Sequence, residues 1–252
     1  MPAPTLDDAL QSGQLKAFLF DLDGVLTPTV DVHKRAWALL FDDYLARRGA
    51  EPYRGDDDYL EYVDGKPRIA GVRDLLASRG IEIPVGTADD RPDDDTAWAL
   101  GTRKNDAFEA ALQKDGIAPY PGSLALLDAL RSTHFEMAVV SSSRNAVPVL
   151  EAAGIRDRFD VVIDGVVAAE EGLPGKPAPD TYELAAARLG LTPAECIVVE
   201  DAHSGVQAGR NGEFGLVVGV DRGAGADGLL ASGADVVVDD LSELVSATEG
   251  AA

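Results

Sequence analysis

Four places in the sequence put oxygen- and nitrogen-bearing side chains directly behind, or shortly after, a short apolar run. Phe18-Leu-Phe ends in Asp21-Leu-Asp23-Gly24; Glu136 to Val140 leads into Ser141-Ser142-Ser143-Arg144-Asn145; Gly175-Lys176-Pro177 follows the run Asp160 to Asp164; and Cys196-Ile-Val-Val ends in Glu200-Asp201. The carboxylates of Asp21, Glu200 and Asp201, with no Cys or His cluster beside them, form a hard oxygen donor set of the kind Mg²⁺ prefers when it binds together with a phosphate. If an aspartate here attacks phosphorus, the metal and Lys176 offset the repulsion between two anions, and an aspartyl phosphate results. Asp23, two residues further on, is then placed to give or take the proton of the leaving or attacking oxygen. Any one of these aspartates alone is an ordinary strand-end cap or turn former. Only their convergence from four chain segments points to chemistry.

That convergence requires a scaffold that brings four segment ends to one rim. Six β-branched runs supply it: Ala17 to Asp21, Glu136 to Ser141, Asp160 to Asp164, Cys196 to Glu200, Gly215 to Val220 and Asp235 to Asp239. They are apolar throughout instead of alternating, as strands of a parallel sheet covered on both faces should be. Ser123 to Ser132, Ala146 to Ala153 and Thr181 to Leu189 carry apolar residues at helical spacing, and Gly154 and Gly190 stand where helices stop. The alternation predicts a doubly wound, Rossmann-like α/β core, with ligands gathered outside the carboxyl ends of the strands.

One section departs from the alternation. From about Asp31 to Gly116 the periodicity is helical, with turns at Gly49, Pro52, Gly65, Gly80 and Pro84 and an exposed acidic loop at Asp89 to Asp95 without chemical function. The chain therefore reads as a core of residues 1–30 and 119–252 with a small α-helical domain, 31–118, inserted after the first strand. The tail beyond Val245 is expected to fray.

Composition narrows the partners. The 252 residues hold 44 Asp and Glu against 22 Lys and Arg, a net charge of −22, which opposes general binding to nucleic acid or anionic membrane. A phosphorylated ligand must find its positive charge locally. The single Cys196 lies in an apolar run and reads as a small buried hydrophobe, which fits a reducing, cytoplasmic setting. No secretory signal or membrane span is legible, and the expected protein is a soluble monomer.

Phe20-Asp-Leu-Asp-Gly-Val-Leu26, Ser141, Lys176-Pro-Ala-Pro-Asp180 and Val199-Glu-Asp-Ala-His-Ser-Gly205 resemble, in order and across the whole core, the four motifs of the haloacid dehalogenase superfamily. The resemblance implies that Asp21 is the nucleophile and that Asp23 is the general acid and base, ligating the metal through its backbone carbonyl. It implies further that Ser141 and Lys176 hold the phosphoryl group and that Glu200 and Asp201 complete a Mg²⁺ site. The helical insertion corresponds to the small cap of that superfamily.

The insertion has markers of its own. His33 and Trp37 lie four apart on one helical face, Asp64-Gly-Lys-Pro-Arg68 places a cation at a turn, and Thr102-Arg-Lys104-Asn105-Asp106 reads as a helix start. Taken singly, His33 and Lys104 read as solvated or capping side chains. Together with Thr29, Trp37, Arg68, Asn105 and the run Ser141 to Asn145, they resemble the substrate-binding set of the β-phosphoglucomutase branch. There the residue matched by Arg68 grips the distal phosphate of a sugar bisphosphate, and those matched by His33 and Lys104 couple substrate binding to cap closure. Arg144 and Asn145 would contact phosphate or sugar beside Ser141–Ser143, although that branch commonly has Lys where Arg144 stands. Pro28 also replaces a common acidic residue, and Gly49 to Asp64 is longer and more acidic than a minimal cap.

The resulting expectation is Mg²⁺-dependent phosphoryl transfer on a small phosphorylated sugar, converting β-glucose 1-phosphate to glucose 6-phosphate through the 1,6-bisphosphate. A sugar-phosphate phosphatase is the alternative, since both reactions use Asp21 and Asp23. A non-catalytic anion or metal binder would have to lack one of these, and both are present.

Overall fold

The protein is described by a computed structural model covering residues 6–11, 13–64 and 66–249. Its six strands are Ala17–Phe20 (β1), Glu136–Val140 (β2), Val161–Ile163 (β3), Cys196–Glu200 (β4), Leu216–Val220 (β5) and Val236–Val238 (β6), all within the runs read from the sequence. They form one sheet in the order β3-β2-β1-β4-β5-β6, and every neighbouring pair is parallel.

Both faces of the sheet are buried, which is why the strands are apolar without alternation. Phe18 and Phe20 stack at 5.5 Å on one face, with Phe135 edge-on to Phe18 at 5.1 Å. Ala17 and Leu19 point the other way, into a cluster with Ala138, Val198, Tyr182 and Val206. Each fully buried Phe or Leu contributes roughly 1.5–3 kcal/mol relative to exposure, so β1 alone secures much of the core.

The chain winds outward from β1 through β2 to β3, then crosses back to β4 on the opposite side of β1. A crevice therefore opens at the carboxyl ends of β1 and β4, where the winding reverses. The register sets Phe20 level with both Val139 and Val199, so the residues following these strands emerge on one rim.

By its contacts the chain divides into two compact units, residues 1–28 with 118–252, and residues 29–117. In the first unit the chain leaves after the loop behind β1 and returns beside it: Tyr120 N donates to Leu26 O at 3.0 Å, just before the helix Pro121–Leu130. The segment expected to fray instead forms the helix Val245–Glu249, because Ala247 and Thr248 are buried and the helix packs on Pro121–Leu130 and on Leu6–Gln11.

The second unit is helical: Thr29–Arg47, Asp56–Asp58 running into a wide turn at Tyr59–Val63, Arg68–Ser78, and Ala97–Asp115. Trp37, Phe41, Leu45, Val72, Leu76 and Leu100 make its core, and the Trp37 and Phe41 rings stack at 5.3 Å. Thr102 does not begin a helix. The last helix starts at Ala97, where Thr96 accepts a hydrogen bond from Ala99 N, so Thr102 to Asp106 lie in its interior. The acidic loop before it is structural: Asp90 accepts from Thr87 and Thr96, and Asp95 accepts from Tyr44 and Arg48.

Candidate active site

The carboxyl ends of β2, β1 and β4 meet at one ammonium group. Lys176 Nζ donates to Asp21 Oδ1 at 2.5 Å, to Glu200 Oε1 at 2.6 Å and to the Val140 carbonyl at 3.1 Å. A lysine has three donors, and all three are committed, one to each strand end. Asp21 is held from behind by its own N–H on Val199 O at 2.9 Å. Lys176, Asp21 and Glu200 are all buried.

Glu200 is fixed from every side. Its Oε1 also accepts from the Tyr182 hydroxyl at 3.0 Å, and its Oε2 accepts from the backbone N–H groups of Asp201 and Ala202 at 3.1 and 3.2 Å. The helix His203–Asn211 starts close against it: a Cβ at Gly205 would fall 1.7 Å from Glu200 Oε1, so only glycine fits. A Cβ at Gly24 would likewise meet Asp201 Oδ2 at 1.8 Å, and Gly24 has φ of +87°. These two glycines let the acidic loops behind β1 and β4 approach each other.

Three carboxylates, Asp21, Glu200 and Asp201, gather here beside the one Lys176 ammonium. Burial pushes the Asp21 carboxyl well above its usual range; Lys176 works against this, while the Glu200 and Asp23 charges add to it. Burial alone would lower the Lys176 ammonium, but Asp21 and Glu200 more than reverse that and hold it well above its usual value. Tyr182 is likewise pushed up, first by burial and then by Glu200. Oxygens of Asp21, Glu200 and Asp201 lie within 4.8 Å of one another. An all-oxygen set with excess negative charge fits a hard divalent cation.

The loop after β2 completes this rim. Ser141 is buried, its N–H donates to Ile163 O at 2.9 Å, and its Oγ accepts from Ser143 N at 3.1 Å. Ser143 Oγ accepts in turn from Asn145 N at 3.1 Å, and Ser143 O from Gly165 N at 3.0 Å. Asn145 is buried, Ser142 and Ser143 are half-buried and Arg144 is exposed.

In the helical unit the residues singled out from sequence fall into two neighbouring groups. Lys104 Nζ and His33 Nδ1 are hydrogen-bonded, His33 stacks on Phe108 at 4.1 Å, and the Lys104 ammonium lies 5.3 Å over the Trp37 ring. Both side chains are buried, which corrects their reading as solvated or capping groups; aromatic rings pack around the pair and replace water. Arg68 Nη1 donates to Asn105 Oδ1 at 2.5 Å, and Asn105 Nδ2 donates to Glu109 at 2.6 Å. Thr29 is fully buried at the start of the first helix of the unit.

Sequence reasoning missed Tyr182, which reads as one more apolar position in Thr181 to Leu189. Nothing local announces that its hydroxyl reaches Glu200.

Residues 15–212 match the family model of the haloacid dehalogenase-like hydrolases. A β-phosphoglucomutase of Mycobacterium tuberculosis is 48% identical over 242 residues, spanning 92% of this chain and 92% of its own. Hexitol phosphatase A of Escherichia coli is 34% identical over 198 residues, spanning 77% of this chain and 78% of its own. Among solved structures, β-phosphoglucomutase from Clostridium difficile aligns with a TM-score of 0.73 at 26% identity, over 91% of this chain and 93% of that one. With the parallel sheet, the four strand-end motifs and a match of this breadth, the chain belongs to the haloacid dehalogenase-like hydrolase family.

Proposed function

We propose that the chain is a Mg²⁺-dependent β-phosphoglucomutase, converting β-glucose 1-phosphate to glucose 6-phosphate through β-glucose 1,6-bisphosphate. The observation that carries this reading is the joint presence of the Asp21–Lys176–Glu200 cluster and a helical unit with Arg68 on Asn105 and Lys104 on His33, in a chain 48% identical to a β-phosphoglucomutase over most of its length.

In this reading Asp21, Asp201 and Glu200 hold Mg²⁺, with the Asp23 carbonyl. The ion, when bound, supplies charge neutralisation between the nucleophile and the phosphoryl oxygens. Asp21 Oδ attacks phosphorus in line, an acyl phosphate forms and the P–O bond to the sugar breaks. Asp23 gives its proton to the departing oxygen and later removes one from the attacking hydroxyl. Lys176 and Ser141 bind the phosphoryl oxygens, and Arg68 grips the distal phosphate. A bisphosphate intermediate needs that second grip because it must be held by either end, and exclusion of water protects the aspartyl phosphate. Simple hydrolysis needs neither.

The phosphatase relative favours a second reading, hydrolysis of a sugar phosphate by the same Asp21 and Asp23. One experiment separates them: protein, Mg²⁺, β-glucose 1-phosphate and a trace of the 1,6-bisphosphate, with glucose 6-phosphate counted against inorganic phosphate. The mutase yields the isomer; dominant free phosphate sinks that reading and leaves the phosphatase.

A further inference from the structure

Arg222 belongs to none of the strand-end motifs, yet its guanidinium joins three of the chain segments around the site. It lies in the loop after β5, and that loop is held rigidly: Asp221 Oδ1 accepts from Gly223 N at 2.9 Å and Gly225 N at 3.1 Å, while Asp221 N donates to Val238 O at 2.9 Å. From this base Arg222 Nε donates to the Gly24 carbonyl at 3.1 Å, Nη1 to the Asp239 carbonyl at 3.2 Å and Nη2 to Asp240 Oδ2 at 3.3 Å. The guanidinium carbon lies 4.1 Å from the centroid of the Tyr120 ring. A planar fork that donates in three directions while lying over an aromatic ring is a use of arginine that lysine cannot reproduce.

The partners matter more than their number. Gly24 directly follows Asp23, and its turn is closed by Gly24 N on Thr27 O at 2.8 Å and Thr27 N on Leu22 O at 3.0 Å. Gly24 thus has Asp201 against its α-carbon and Arg222 on its carbonyl. Tyr120 is hydrogen-bonded through its N–H to Leu26 O, two residues beyond Gly24. Arg222, Gly24, Leu26 and Tyr120 therefore form a closed loop of contacts that fixes the peptide carrying Asp23 relative to the sheet.

We propose that Arg222 is a positioning residue for proton transfer at Asp23, a role that rests on Asp23 being the general acid and base. As the bond from Asp21 to phosphorus forms and the bond to the leaving oxygen breaks, that oxygen takes the Asp23 proton. A turn freed from Arg222 leaves the carboxyl misaligned for this transfer, while at saturating Mg²⁺, which offsets any loosening of the Asp23 carbonyl in the same turn, attack by Asp21, anchored on β1 and Lys176, proceeds as before. The defect must then scale with how much the leaving group needs a proton.

The test compares wild-type protein with Arg222→Ala and Arg222→Lys on two substrates: the sugar monophosphate that the wild type turns over fastest, whose leaving oxygen is strongly basic, and p-nitrophenyl phosphate, whose leaving group departs without protonation. Arg222→Ala is expected to lower kcat/KM on the sugar phosphate by about tenfold or more and on p-nitrophenyl phosphate by less than about threefold, because kcat/KM reports the steps up to departure of the leaving group and general acid catalysis contributes there only for the sugar, whereas kcat on either substrate also includes proton removal by Asp23 in the second step. Millimolar guanidinium is expected to restore part of the loss. Arg222→Lys, which keeps the cation over Tyr120 and serves as the second variant if the alanine protein does not fold, is expected to show the same selectivity in milder form. Equal losses on both substrates, or none, overturn the proposal. A wild-type protein that makes no glucose 6-phosphate refutes the mutase reading and leaves this ratio intact.

Discussion

Lys176 donates to Asp21 across 2.5 Å, and both groups are buried. The same ammonium serves Glu200, so deleting it strands two buried carboxylates at once. Lys176→Met is expected to cost about 3–5 kcal/mol of stability in chelator, the usual penalty for breaking a buried pair from one side. Added Mg²⁺ should recover more of that loss in the variant than it adds to the wild type. Urea denaturation with and without chelator reads both effects.

The two aspartates behind β1 should fail in different ways. Asp21→Asn keeps the shape and removes the nucleophile, so neither phosphoryl transfer nor covalent labelling from a phosphoryl donor should be seen. Asp23→Ala should retain slow labelling of Asp21 while turnover falls by about 10² to 10⁴, the span general acid–base catalysis supplies. Radiolabel trapped on acid-quenched protein distinguishes them.

Arg68→Ala tests the second phosphate grip. It should hurt the reaction that passes through a bisphosphate far more than hydrolysis of a small monophosphate such as acetyl phosphate. Equal loss on both would remove the reason for placing a distal phosphate at Arg68.

The helical unit has a buried carboxylate, Asp58, paired with two arginines. Asp58, fully buried, accepts from Arg54 Nη2 at 2.7 Å and from Arg54 N at 2.8 Å, and it accepts from Arg79, whose side chain is also buried. Burial pushes the Asp58 carboxyl up, and these hydrogen bonds more than reverse it, leaving it below the usual range. A lowered folded value means the stabilisation is complete above the unfolded aspartate value of about 3.9 and is lost as pH falls through the folded one. Asp58→Asn should therefore cost about 3 kcal/mol near pH 7 and flatten the acid side of the stability curve. Urea midpoints at pH 7 and pH 3 check it; parallel curves for the two proteins would contradict it.

Cys196 should be silent to thiol reagents in the native protein. It is fully buried, its Sγ donates to Thr192 O at 3.4 Å, and burial, reinforced by Glu195 and Glu136, pushes the thiol up to about 12. At pH 8 it stays protonated and shielded. Labelling with a chromogenic disulfide is expected only as the protein unfolds, with the rate following the unfolding transition.

The strands were readable because a parallel sheet buried on both faces leaves unbroken apolar runs such as Cys196 to Val199, and each run stops where polar atoms must take over. Asp21, Ser141, Glu200 and Asp201 could be found by inspecting those stops. What could not be read depends on distance in the chain. Tyr182 is 18 residues from Glu200, and Arg222 is 198 residues from Gly24. The burial of Lys104 against His33, 71 residues away, likewise follows from aromatic rings on two helices, whereas each helix alone offers only a polar residue at an unremarkable position. The helix Val245–Glu249 was missed for the same reason: a small-residue segment becomes helical only because other helices bury one side of it.

The pairing of Leu26 with Tyr120 means that the chain departs from the sheet unit and re-enters it through adjacent strands of backbone, held by a hydrogen bond of 3.0 Å. An insertion attached through neighbouring ends strains nothing in its host when its length or sequence changes. The loop carrying Asp21 and Asp23 and the point of attachment thus lie together in the sheet unit. On the proposed reading, in which Arg68 holds the far phosphate, exchanging residues 29–117 for those of a relative is expected to change which sugar phosphate is accepted.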